Sequence, residues 1–175
     1  MATTIPGLDL ARAKVTLIFN AQAGKQDADG RVKEIRARLE PAVGELVLRP
    51  VKGSGIVGAA KAAVDDGSDV VAAFGGDGTQ SAVADALAGS GAVMAPLPGG
   101  TFNYFARELG METLEDALDA LLAGRVTRRD VGTVNDRVFL NNLSFGLYPH
   151  ILQRREAIYG RWGRSRLLAY WSVLL

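Results

Sequence analysis

Residues 70–87 read VVAAFGGDGTQSAVADAL. The first five are apolar without alternation, as in a short strand buried on both faces. They pass at once into Gly75-Gly76-Asp77-Gly78, and then into a run of small residues over 79–87 that reads as a helix. A buried strand that turns through glycine straight into a helix is the repeating element of a parallel α/β sheet.

The same element recurs on either side. Upstream, residues 15–19 (VTLIF) predict a strand. Residues 28–40 follow as a helix, with Val32, Ile35 and Leu39 at helical spacing and Pro41 as the stop. Residues 45–48 predict a second strand and 55–66 an alanine- and valine-rich helix. Downstream, residues 92–95 predict a fourth strand, which ends in Pro96-Leu97-Pro98-Gly99-Gly100, and helices are expected over 103–109 and 114–123. Residues 126–134 and 137–145 then alternate like paired antiparallel strands around Asn135-Asp136. The expectation is an α/β fold with a parallel sheet covered on both faces over residues 1–124. A β-rich unit begins near Arg125 and takes in 125–175.

Composition narrows the chemistry. The chain has 175 residues, enough for one compact domain. It is 48% hydrophobic and 22% charged, as in an ordinary globular protein. A net charge of +1 gives no overall field for nucleic acid. There is no cysteine, so disulfides, thiolate zinc sites and a cysteine nucleophile are excluded. The single histidine, His150, excludes paired-histidine metal motifs and reads as a surface or capping residue. Glycine is in excess, 21 of 175 residues against a usual ~7%. Chemistry is left to carboxylates, hydroxyls, lysines, arginines and backbone N–H groups in glycine turns. The N-terminus has no signal-peptide pattern and no apolar run reaches the ~18 residues of a membrane span, so the cytosol is the expected compartment.

Charge is uneven. Residues 150–175 hold five arginines and one acid, interleaved with Tyr159, Trp162, Tyr170 and Trp171, and end in an apolar run over 167–175. Such an end is expected to meet another domain, a second subunit or a lipid surface, including peripheral contact with the inner face of a membrane.

Ligands of open α/β sheets bind beyond the carboxyl ends of the strands. Three of the four expected strands end there in unusual turns: Asn20-Ala21-Gln22-Ala23-Gly24-Lys25, Gly75-Gly76-Asp77-Gly78-Thr79, and Pro98-Gly99-Gly100-Thr101-Phe102-Asn103. Glycines let backbone N–H groups converge, and a following helix adds partial positive charge, which together suit a phosphate. Thr79 and Thr101 can cap a helix or bond a phosphate oxygen. Asp77 would repel a phosphate and calls for a metal, lysine or hydroxyl partner; a plain strand-to-helix turn is the competing reading. Gly53-Ser54-Gly55-Ile56-Val57-Gly58 matches GxGxxG but follows the second strand rather than the first, which argues against a dinucleotide fingerprint. Asp130, next to Arg128 and Arg129, reads alone as one half of an ion pair.

Three blocks, at 70–87, at 98–109 (PGGTFNYFAREL) and at 130–146 (DVGTVNDRVFLNNLSFG), resemble in order and spacing the catalytic domain of the diacylglycerol kinase family, which includes bacterial lipid kinases and sphingosine kinases. The resemblance spans roughly residues 15–148. It implies a three-layer, Rossmann-like α/β domain followed by the start of a second, β-rich domain that is largely missing. It also implies ATP-dependent phosphorylation of a lipid alcohol such as diacylglycerol, with Mg2+. In that scheme Asn20, Gly24, Gly75, Gly76, Gly78, Thr79, Gly100, Thr101 and Asn103 hold ATP, with Asn103 supporting its turn. Asp77 and Asp130 act through Mg2+ or its water shell.

The sequence departs from the family pattern in places. Tyr104 stands where the family has an aspartate, Ser81-Ala82 replace an amide and a glutamate, and Arg49-Pro50 fall where a nucleotide-contacting threonine is common. The expectation is therefore a shortened lipid kinase that is weakly active or inactive alone. The alternatives are an NAD kinase-like enzyme and a non-catalytic nucleotide-binding module.

Overall fold

A computed structural model of the chain describes residues 4–5, 7–21 and 25–142. The His150 and 150–175 readings lie outside them. Residues 1–141 fall into one compact unit and 142–175 into a second.

Among the described residues four parallel strands form the sheet: β2 (Lys14–Asn20), β3 (Glu45–Val51), β4 (Val70–Gly75) and β5 (Val93–Pro98), in the order β3-β2-β4-β5. Short β1 (Thr4–Ile5) lies outside it. The helices are α1 (Lys25–Leu39), α2 (Ile56–Asp65), α3 (Asp77–Leu87), α4 (Tyr104–Glu108) and α5 (Leu114–Leu122). Alternation along the central strands divides the core in two. Val15, Leu17, Val70, Ala72 and Phe74 pack with Ile35 and Leu39 of α1 and Leu114, Ala117 and Leu118 of α5. Ile18, Val71 and Ala73 face the other way, onto α2 and α3. The result is the expected three-layer α/β arrangement.

Helix α1 is largely polar and is held by a narrow stripe. Ile35 and Leu39 are fully buried, and each contributes about 1.5–3 kcal/mol. Helix α5 starts on a capping box, Thr113 with Asp116, and docks by an apolar stripe. One polar pair is enclosed in the core: the Thr16 and Ser68 hydroxyls lie 2.8 Å apart, so neither is left without a partner.

Two strands are longer than expected. β3 runs on to Val51, and β5 runs to Pro98 although it contains Pro96 and Pro98. Proline is tolerated there because, among the described residues, β5 is an edge strand paired with β4 alone. The final hairpin is shorter than expected. β7 (Gly132–Val134) pairs antiparallel with β8 (Arg137–Phe139) across Asn135 and Asp136, both at positive φ as a tight primed turn requires. Residues 126–134 do not form one strand. β6 (Val126–Thr127) pairs instead with β1, and Arg128, Arg129 and Asp130 are exposed between the two pieces. Three consecutive charges cannot alternate between a buried and a solvated face. The hairpin touches α3, where the Val138 N–H donates to Asp85 Oδ1 at 2.7 Å.

Register places the functional edge. Phe19 pairs with Phe74 and Gly75 with Pro98, so the carboxyl ends of β2, β4 and β5 are aligned. The chain leaves β2 toward β3 on one side and returns through α2 to β4 on the other. That reversal makes the crevice between β2 and β4 the topological switch point.

Candidate functional site

Gly75 ends β4 at the switch point, and Gly76 is the N-cap of α3, extended at φ −80° and ψ −177° with no side-chain cap. The first N–H groups of a helix have no intrahelical partner, and here the cap residue has no side chain to supply one. They and the positive end of the helix dipole form an opening for an anion. The Thr79 and Gln80 N–H groups close the first turn on the Gly76 carbonyl, at 2.9 and 3.1 Å. The Thr79 side chain folds back onto Gly75, so closely that a β-carbon at 75 would lie 2.6 Å from its Oγ1.

The second turn is built against the first. The Gly99 N–H donates to the Gly75 carbonyl at 3.0 Å. Asn103 then clasps Gly100 at both ends: its Oδ1 accepts from the Gly100 N–H at 2.8 Å, and its Nδ2 donates to the Gly100 carbonyl at 2.9 Å. Asn103 does this from the left-handed region, φ 51° and ψ 43°, which asparagine tolerates better than most residues. A β-carbon on Gly76 would lie 3.2 Å from the Gly100 Cα, so the two glycine turns form one continuous backbone surface. Thr101 is exposed beside it. The rings of Phe102 and Tyr104 stack at 5.4 Å, and both are exposed.

Asp77 is half-buried where three segments meet. Its Oδ1 accepts from the Phe105 N–H of α4 at 3.4 Å and from Asn141 Nδ2 at 3.0 Å. Gln80 is fully buried on the inner face of α3, and its Nε2 donates to the Gly75 carbonyl at 3.2 Å. Two buried acceptors at this corner, Gln80 Oε1 and Asn141 Oδ1, have no hydrogen-bond partner among the described residues.

The structure thus brings Asn20, Gly75, Gly76, Asp77, Gly78, Thr79, Gly100, Thr101 and Asn103 to one edge. Asn20 ends β2 there, and Gly24 lies outside the described residues. Asp130 stands apart. It is exposed, and with Phe105, Glu108, Arg128 and Arg129 it lines a small cleft of about 200 Å³. Among the described residues it makes no hydrogen bond or ion pair, with a neighbouring arginine or with Asp77. No group of three or more histidine, aspartate or glutamate side chains is placed to hold a metal among the described residues.

Two further residues belong to the site. Gln80 sits with Val83 and Leu87 on one buried stripe, and a lone amide on that stripe is the signal that finds it. Its side chain supplies an amide to the turn one position before Ser81. Asn141 lies 64 residues from Asp77, and no local pattern marks it. The turn after the second strand is also displaced: because β3 reaches Val51, residues 52–55 fill that place, with Gly53 beside Asn20, while Arg49 is paired with Asp66. A larger open groove of about 750 Å³ runs along β5, rimmed by Arg125, Arg128 and Arg129. It is mainly apolar.

Residues 14–134 match the family described as "Diacylglycerol kinase catalytic domain". A diacylglycerol kinase of Staphylococcus saprophyticus is 30% identical over 135 residues, 74% of this chain and 44% of that protein. One from Staphylococcus aureus is 30% identical over 134 residues, 74% of this chain and 42% of that protein. The crystal structure of a diacylglycerol kinase from Bacillus anthracis superposes with a TM-score of 0.66 at 30% identity, covering 74% of this chain and 46% of that one. The chain spans less than half the length of these relatives.

Proposed function

The chain belongs to the diacylglycerol kinase catalytic domain family, and on that premise we propose that it is the nucleotide-binding part of an ATP-dependent lipid kinase. The observation that carries this reading is the contact between the two glycine turns at the switch point, next to the uncapped start of α3. The first turn offers the N–H groups at the start of α3, and the second lays glycine backbone against it with no β-carbon between. Phosphoryl transfer needs mainly alignment and charge neutralisation, so such a surface is suited to it.

In this reading the first turn of α3, with Gly76, Gly78 and Thr79, receives ATP phosphates. Thr101 stands beside them on the turn that Asn103 holds. Asp77 is the residue that would hold Mg2+, through water, and Mg2+ when bound would neutralise phosphate charge. Asp130 would enter the same water network from the cleft beside Phe105. The acceptor is a lipid alcohol such as diacylglycerol, reached from the cytoplasmic side by peripheral contact with a membrane. Among the described residues no helix is long and apolar enough to cross one. Residues from Arg125 on would open a second, β-rich domain.

Family membership favours this over an NAD kinase-like enzyme. Tyr104 favours a second reading, a nucleotide-binding module without turnover. It places an exposed phenol, stacked on Phe102, where the family pattern has a carboxylate.

Calorimetry with ATP, with and without Mg2+, tests the proposal on this chain and on Asp77→Ala. Mg2+-dependent binding that the variant loses is the expected result. No binding to well-folded protein would overturn it. Transfer of labelled phosphate to diacylglycerol separates the kinase from the module.

A further inference from the structure

Asp77 is reached by two donors on the same oxygen. Phe105 donates from the backbone, and Asn141 from its side-chain amide at 3.0 Å. The contact fixes which way the Asn141 amide is turned, because the opposite orientation would set two oxygens against each other. Asn141 Oδ1 is therefore the buried atom without a partner among the described residues, beside a carboxylate whose two hydrogen bonds both fall on Oδ1. A buried acceptor left unpaired costs roughly 1–3 kcal/mol, so it marks a place where a donor is missing.

We infer that Asn141 is the positioning residue of Asp77: its Nδ2–H holds Asp77 Oδ1, and its Oδ1 accepts from a water in the shell of the divalent cation that accompanies ATP. This rests on the nucleotide-binding reading above and extends it to a residue on the segment after β8. Hydrogen-bonded partners of this kind orient a ligating carboxylate, and losing one costs 10–100-fold in metal affinity. A cation held through Asp77 and water depends on such support, since among the described residues no group of three or more acidic or histidine side chains is placed to hold one.

The test measures, for the whole chain and for Asn141→Ala and Asn141→Asp, the Mg2+ concentration that half-saturates ATP binding. It also measures the melting-temperature shift on adding Mg2+ alone. Asn141→Ala is expected to raise the half-saturating Mg2+ about tenfold or more. Asn141→Asp sets two carboxylates together. It is expected to melt below the parent without Mg2+ and to show a larger Mg2+-induced rise. A role as a structural tether alone predicts that both variants melt lower by similar amounts with unchanged Mg2+ dependence, and that result overturns the inference while leaving the nucleotide site standing. If Asn141→Ala does not fold, the Mg2+ response of Asn141→Asp decides. A parent chain that binds no ATP with Mg2+ overturns both readings.

Discussion

The backbones of Gly76 and Gly100 lie against each other, 24 residues apart in sequence, so closely that a β-carbon on Gly100 would fall 2.4 Å from the Gly76 Cα. The neighbour it would meet is main chain, which cannot swing aside as a flexible side chain can. The contact joins the end of β4 to the end of β5. It makes one surface of two turns that are separately unremarkable.

Gly100→Ala should therefore act on both stability and binding. Forcing the turns apart is expected to cost roughly 1–3 kcal/mol, in the range of an overpacked core, and to weaken ATP binding by more than tenfold. Urea denaturation and calorimetry read the two effects. Unchanged binding would mean that the turns do not act together.

Gly78→Ala is the contrasting case. A β-carbon at 78 has no heavy atom within 4 Å, and the residue lies in the first turn of α3. The fold should hold or gain up to about 1 kcal/mol from the lower backbone entropy of alanine. ATP binding should fall, because the new methyl occupies the space that the ligand reading assigns to a phosphate. A variant that melts at or above the parent and binds ATP equally well would place the phosphates elsewhere.

Asn103 combines two roles that substitution can separate. Asn103→Ala loses both hydrogen bonds to Gly100 and puts alanine at φ 51°. About 0.5–1.5 kcal/mol is expected per hydrogen bond, with about 1–2 kcal/mol more for the left-handed backbone. Asn103→Gly removes the backbone cost and keeps the loss of the clasp. Its stability should lie between parent and alanine variant, with ATP binding as weak as in the latter. Equal stability of the two variants in denaturant would contradict this division.

The pH response of α5 follows from its cap. The Asp116 carboxyl is held below its ordinary value by its hydrogen bonds with Thr113, side chain first and backbone second. A carboxyl depressed in the folded state contributes stability at pH above its unfolded value. That contribution is lost as pH falls through the lower, folded value. The first turn of α5 should therefore loosen in acid, below about pH 4. Thr113→Val should flatten that dependence. Amide exchange across residues 114–117 as a function of pH provides the measurement.

Much of this arrangement was legible in residue order. Continuous apolar runs at 15–19 and 70–74 mark strands buried on both faces, and the glycine turns that follow mark the ligand edge, because period and turn chemistry are local properties. The Asn135-Asp136 turn is local in the same way, whereas α3 and α4 are capped by Gly76 and Asn103 and not by Thr79 and Thr101 as expected. The far ends of β3 and β5 were not legible, because strand length there depends on pairing: Val51 is drawn on by Asn20, and Pro98 by Gly75. The division of 126–134 between β1 and β8 also depends on partners distant in sequence.

What the sequence determined by itself is the class of fold, the edge on which the site lies and the backbone chemistry of its turns. Those follow from hydrophobic period and from glycine, each read within a few residues. Only the tertiary structure decided that Gly76 touches Gly100, that Gln80 holds the Gly75 carbonyl from inside the core, and that Asn141 reaches Asp77 across 64 residues. A hydrogen bond between distant residues leaves no periodic trace in the chain. It exists only once sheet register and helix packing have brought donor and acceptor to within 3 Å or so of each other.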